Sequence, residues 1–98
     1  MTAYVIAHAD ITDETLFNQF SERVPGVVAA HGGRFLVRSG DIEVVQGEWN
    51  PERIAIVEFD DIEQARAWQE SAGYAELRQI LNQLGRAHVI IVPGYDQP

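Results

Sequence analysis

The chain has no cysteine and no lysine. Without cysteine there is no disulfide framework, no thiolate metal site and no cysteine nucleophile. Without lysine, the basic residues are seven arginines, planar forks suited to gripping a carboxylate at a point. A formal charge of −8 argues against nucleic acid and anionic membrane as partners, because binding phosphate needs net or clustered positive charge. No apolar run reaches the ~20 residues that would span a bilayer, and the first residues lack a basic n-region. A cytoplasmic protein is therefore expected. Repeats of fixed period and low-complexity tracts are also missing, which excludes a solenoid. What is present is ordinary globular material: 98 residues, 46% hydrophobic, with two Trp. One domain over residues 1–98 with a modest core is the expectation.

Ala3 to Ala9 is a short run rich in strand formers. Asp10 or Thr12 can then cap a helix whose apolar positions, Leu16, Phe17, Phe20, Val24, Val27 and Val28, repeat every three or four residues. Pro25 inside that pattern predicts a kink or a restarted turn near Arg23, and Gly32-Gly33 predicts the stop. Arg34 to Ser39 reads as the second strand, followed by turn residues and a further extended arm over Ile42–Gln46. Arg53 to Phe59 reads as the third strand. Asp61 with Gln64 forms a capping box for a second helix, interrupted at Ser71-Ala72-Gly73 and resumed from Tyr74. Ala87 to Val92 is the last strand.

The order β-α-β-β-α-β is that of an α+β, ferredoxin-like fold. Right-handed crossovers give a four-stranded antiparallel sheet in the order 4-1-3-2. Alternation assigns Val5, Ala7, Phe35, Val37, Val57, Phe59, Val89 and Ile91 to the face under the helices. The other face takes Tyr4, Ile6, His8, Arg34, Leu36, Arg38, Ile54, Ile56, Glu58, His88, Ile90 and Val92. It is apolar along its middle and polar at both ends, so the site is expected there. No second layer in the chain can cover that apolar middle, which predicts a homodimer through the open sheet face. The Ile42–Gln46 arm and the tail after Gly94 are candidate reinforcements across the dimer axis.

Antiparallel pairing brings His8 beside His88, with Arg38 expected at the same end. Two imidazoles and a guanidinium over an apolar floor can bind a small carboxylate and move a proton, so His8 and His88 are the candidate catalytic residues. The plainer reading leaves each His half-solvated at a strand end. Zinc at the pair lacks a third ligand fixed by spacing, so no metal is expected. Arg34 and Glu58 read as a cross-strand ion pair, and His31 as a cover for the last carbonyls of the first helix. Trp68, Ser71 and Tyr74 lie three residues apart. Trp68 reads as core, and Ser71 and Tyr74 as residues at a pocket mouth.

As a set, Tyr4, Asp13, Gly33-Arg34-Phe35, Arg38, Gly47 before Trp49, Val57-Glu58-Phe59, Ala65, Trp68, Ser71, Tyr74 and Gly94 resemble a small bacterial family of unknown function, DUF 1330. That family is similar to the dimeric α/β-barrel superfamily, which includes cofactor-independent monooxygenases, muconolactone-isomerase-like enzymes and heme-handling proteins. The resemblance implies a ferredoxin-like homodimer, a dimeric α/β barrel, with a cavity over the sheet. It implies no established reaction. Two departures stand out: the family usually has Leu-Glu-Gly where this chain has Val45-Gln46-Gly47, and it tends to carry Arg where this chain has Leu81. The candidate ligand-binding set is accordingly Tyr4, Arg38, Gln46, Trp68, Ser71 and Tyr74. Two functions compete: a cofactor-independent enzyme acting on a small carboxylate or aromatic molecule, and a non-catalytic ligand-binding or structural dimer. No cofactor is expected for either.

Overall fold

The computed structural model describes residues 1–95. Positions 96–98, part of the tail proposed to cross a dimer axis, lie outside the described residues. The elements are β1 (Ala3–Ile11), α1 (Glu14–Ala30), β2 (Arg34–Ser39), β3 (Arg53–Phe59), α2 (Ile62–Gln69), α3 (Ala72–Leu84) and β4 (Gly85–Pro93). The sheet order is β2-β3-β1-β4, every neighbouring pair antiparallel, so the ferredoxin-like topology is present. The helices cover one face and the other lies open. Val5, Val28, Phe59, Leu77 and Leu84 are the largest fully buried side chains between the layers.

The helix starts follow local chemistry. The cap of α1 is Asp13, whose carboxylate accepts the Leu16 amide at 3.0 Å. Neither expected cap serves: Thr12 donates its hydroxyl to the Leu84 carbonyl, and Asp10 is engaged with His8 and the Glu52 amide. Asp61 caps α2, accepting from Gln64 N at 2.8 Å, while Gln64 Oε1 accepts from Asp60 N. The break between α2 and α3 is a cap as well: Ser71 Oγ donates to Trp68 O at 2.7 Å and accepts from Tyr74 N at 3.1 Å. Gly73 lies inside α3 with ordinary helical backbone, and a Cβ there would meet Val27 of α1 at 3.2 Å. It permits close approach rather than a turn. Gly33, just past the same end of α1, does likewise: a Cβ there would stand 2.7 Å from Phe59 and 2.8 Å from Val28.

Two expectations about α1 and β2 need correction, and the corrections are connected. The helix runs unbroken through Pro25. A proline has no N–H for the carbonyl four residues back, which here is Ser21. Arg38 Nη2 donates to that oxygen at 3.1 Å, supplying from the sheet the bond the helix lacks. Arg38 can do so because β2 is bulged. Phe35 pairs with Val57 and Val37 with Ile56, leaving Leu36 unmatched. One extra residue reverses the facing of everything after it. Val37 therefore joins the open face and Arg38, opposite Ala55, turns under the helices.

The expected extended arm over Ile42–Gln46 is also absent. Residues 40–52 form no strand, and Trp49 from this loop packs its ring edge-on against His8 at 5.4 Å between centroids.

Candidate functional site

Between the helices and the sheet lies a cavity of about 280 Å³. Its origin is the size of four residues. On the helix face of the sheet, Ala7 stands opposite Ala55 and Ala9 opposite Ala87, and all four line the space. Methyl groups cannot reach the helices, so the layers remain apart at this end of the sheet, while Val5 and Val57 bound the space and Phe59 fills the core beyond them. The walls from α1 and α3 are apolar, among them Phe17, Phe20 and Leu81. Leu81 is the position where the resemblance implied an arginine, and here it is plain wall.

Besides His8, Ser21 and Ser39, three polar features interrupt this lining. The first is Trp68, 3% exposed, whose Nε1 has no hydrogen-bond partner among the described residues. Its ring lies 4.3 Å from that of Tyr74 and 5.8 Å from that of Phe59, so packing fixes the indole while its donor is left unused. The second is Tyr74, also buried; burial pushes its phenol pKa up, and the nearby Arg78 only partly opposes this. The third is a pair of arginines on adjacent strands. Arg38 lies over the Phe35 ring at 4.8 Å, and Arg53 over the Phe17 ring at 5.1 Å. Both line the cavity, and neither makes an ion pair among the described residues.

The open face holds a different cluster. His8 stands directly opposite His88, their rings parallel within 5° and 5.7 Å apart. His8 Nε2 lies 3.2 Å from Asp10 Oδ1, which also accepts the Glu52 amide. Partial desolvation raises the Asp10 pKa, but the Glu52 amide and His8 outweigh it, and the net shift is downward. At the opposite end Arg34 bridges Glu58 and Asp60, beside Tyr4 in the register.

The expected site residues thus fall into separate groups. Arg38, Trp68 and Tyr74 meet at the cavity, on the helix side of the sheet rather than on the open face. His8 borders the cavity through its place in β1, but its ring and that of His88 occupy the open face, away from Arg38. Tyr4 belongs to the far end of that face, Ser71 is occupied as a cap, and Gln46 is exposed in the 40–52 loop. Arg53, Phe17 and Ser21 are cavity residues that sequence reasoning passed over. Pro25 carried the signal for Ser21, since it marks the helix carbonyl that needs an outside donor. No group of three or more His, Asp or Glu able to hold a metal occurs among the described residues, and no helix there is long and apolar enough to cross a membrane.

A four-stranded antiparallel sheet covered on one face by helices, with an apolar cavity between the layers, defines an α+β protein of ferredoxin-like class. Residues 2–95 match the family described as Domain of unknown function (DUF1330), and the chain belongs to it. No curated protein matches. Solved structures share the fold at low identity. A protein of unknown function from Rhodopseudomonas palustris superposes with a TM-score of 0.76 at 9% identity, covering 98% of this chain and 84% of that one. A dimeric ferredoxin-like protein of unknown function from Jannaschia sp. CCS1 gives 0.76 at 12%, covering 96% and 100%. SnoaB, a cofactor-independent oxygenase from Streptomyces nogalater, gives 0.66 at 12%, covering 98% and 94%.

Proposed function

We propose that this protein is a cytoplasmic homodimer that binds a small, mostly apolar molecule in the cavity between its helices and sheet, with an acceptor oxygen of the ligand on Trp68 Nε1. The observation that carries the proposal is an apolar cavity with Trp68 in its wall, the indole N–H buried and without a partner among the described residues. A buried donor left unsatisfied costs about 1–3 kcal/mol, a cost that a carbonyl or hydroxyl on a ligand would remove. The cavity volume of about 280 Å³ suits a small occupant, since ligand pockets commonly begin near ~300 Å³. The partner for the open face is a second copy: Leu36 is 52% exposed and Ile90 55%, beside the half-exposed Val37, Ile6 and Ile56. The Jannaschia relative is a dimer of the same fold.

Ligand binding is favoured over catalysis because His8 and His88, the bases once grouped with Arg38, face away from it. A cofactor-independent reaction is the second reading, favoured by the SnoaB fold and by Tyr74 beside Trp68. Native mass spectrometry of freshly purified protein tests the proposal. A ligand bound to the wild type and lost from Trp68→Phe supports it, whereas equal retention by both proteins contradicts it.

A further inference from the structure

Resting on that reading of the cavity, we infer that the ligand is an anion, an apolar carboxylic acid whose carboxylate sits between Arg38 and Arg53 at the cavity mouth. The two arginines occupy diagonal positions on one sheet face: Arg38 is opposite Ala55, and Arg53 is two residues earlier on the same strand. Diagonal neighbours of this kind lie about 7–8 Å apart at the backbone, within the reach of one carboxylate for two long side chains. Gly40 makes room for the second of them, since even a Cβ there would press on Arg53 Nη1.

Each guanidinium rests on an aromatic ring, and neither pairs with a carboxylate among the described residues. The rings of Phe35 and Phe17 support them. Arg38 spends one donor on Ser21 O, out of the five a guanidinium carries. Two cations diagonal on one sheet face, with no acid partner among the described residues, repel one another in a chain of charge −8 that has fifteen Asp and Glu to draw on. The other cross-strand arginine shows the contrast: Arg34 is paired with both Glu58 and Asp60. Nearest in sequence, Glu52 points elsewhere, its Oε2 accepting from the Ile11 amide at 3.3 Å. The same mouth opens onto the alanine-floored space. An occupant with an apolar body inside and a carboxylate at the rim satisfies both regions at once. Cavity residues Val57 to Arg53 span four positions of β3, about 13 Å at strand rise, long enough to take a small aryl or alkyl acid.

The test is titration calorimetry at neutral pH with benzoate, 3-phenylpropionate and hexanoate, each beside its own primary amide of matched shape. At least one acid should bind tenfold or more tightly than its amide, and added salt should erode the difference. Arg53→Gln, which touches no helix carbonyl, should reduce acid affinity about tenfold and so close the gap between acid and amide. Arg38→Lys, which retains a donor for Ser21 O, should give a partial loss because the bidentate fork is gone. Equal affinities for acid and amide overturn the arginine pair as an anion site while leaving the cavity reading intact. Failure of every acid and every amide to bind overturns both.

Discussion

Replacing Trp68 with Phe separates a fold role from a ligand role at a single atom. An indole whose N–H were bonded inside the protein would leave a stranded acceptor when truncated; here there is none to strand. Trp68→Phe should therefore cost only ring area, about 1 kcal/mol or less by denaturant melts, while ligand affinity falls roughly tenfold. A loss above ~3 kcal/mol would show the indole to be mainly structural. Its neighbour Tyr74 makes a prediction in pH. Burial raises its pKa above the ordinary 10.0, so folding favours the neutral phenol. Stability attributable to Tyr74 is complete below pH 10.0 and declines as pH rises through the folded value. Tyr74→Phe should melt at a temperature nearly independent of pH where the wild type is already falling; parallel declines would remove Tyr74 from the account. At this scale spacing along the second helical region grouped Trp68 and Tyr74, and both line the cavity. Arg38 lines it too, but from the face opposite to the one that alternation assigns. Its own strand alternates without a flaw, and the bulge exists only in the pairing of β2 with β3.

At the scale of elements, Pro25, the β2 bulge and Arg38 act as one device. A proline in mid-helix normally loses a bond and bends the rod; here α1 continues because the sheet returns the missing donor. Sequence reading located every strand and helix because apolar periodicity and turn residues agree along the chain. It missed the continuity of α1, which depends on a contact between residues 17 positions apart. It also read Ala7 as simply apolar, when smallness is the property that opens the cavity. The α1–α3 contact makes the next prediction. Gly73→Ala gains helix propensity of up to about 1 kcal/mol, but its Cβ would press on Val27 at 3.2 Å. In the wild-type background the two effects should nearly cancel, within about 0.5 kcal/mol. With Val27→Ala alongside, Gly73→Ala should stabilise by about 0.5–1 kcal/mol. Equal gains in both backgrounds would mean that the close approach carries no energetic consequence.

At the scale of the whole molecule, the sheet has two faces with separate roles: helices and a cavity on one, an uncovered apolar strip on the other. The strip runs through Ile6, Ile56, Val37 and Ile90, which the register places side by side. Ile56→Glu should yield a monomer by light scattering, because a two-fold contact would bring two carboxylates together in a dry interface. An unchanged dimer would move the interface elsewhere on the surface. The cavity lies behind the sheet from that strip, so the monomer should retain its ligand site. The His8–His88 stack lies on the strip's own face, and a site there would be remade or lost with the dimer.

The measurement that bears most directly on where this protein works is the pair of tryptophan indole signals in a nitrogen–proton correlation spectrum. The chain has two Trp, one on each side of the sheet: Trp68 in the cavity and Trp49 against His8. Trp68→Phe assigns them by deleting one. On titration with 3-(4-hydroxyphenyl)propionate, whose phenol oxygen lies at the end remote from the carboxylate, the Trp68 Nε1–H signal should move downfield as its first acceptor arrives, while Trp49 stays in place. Movement of Trp49 with Trp68 stationary would put the ligand on the open face beside the histidines and contradict the helix-side site.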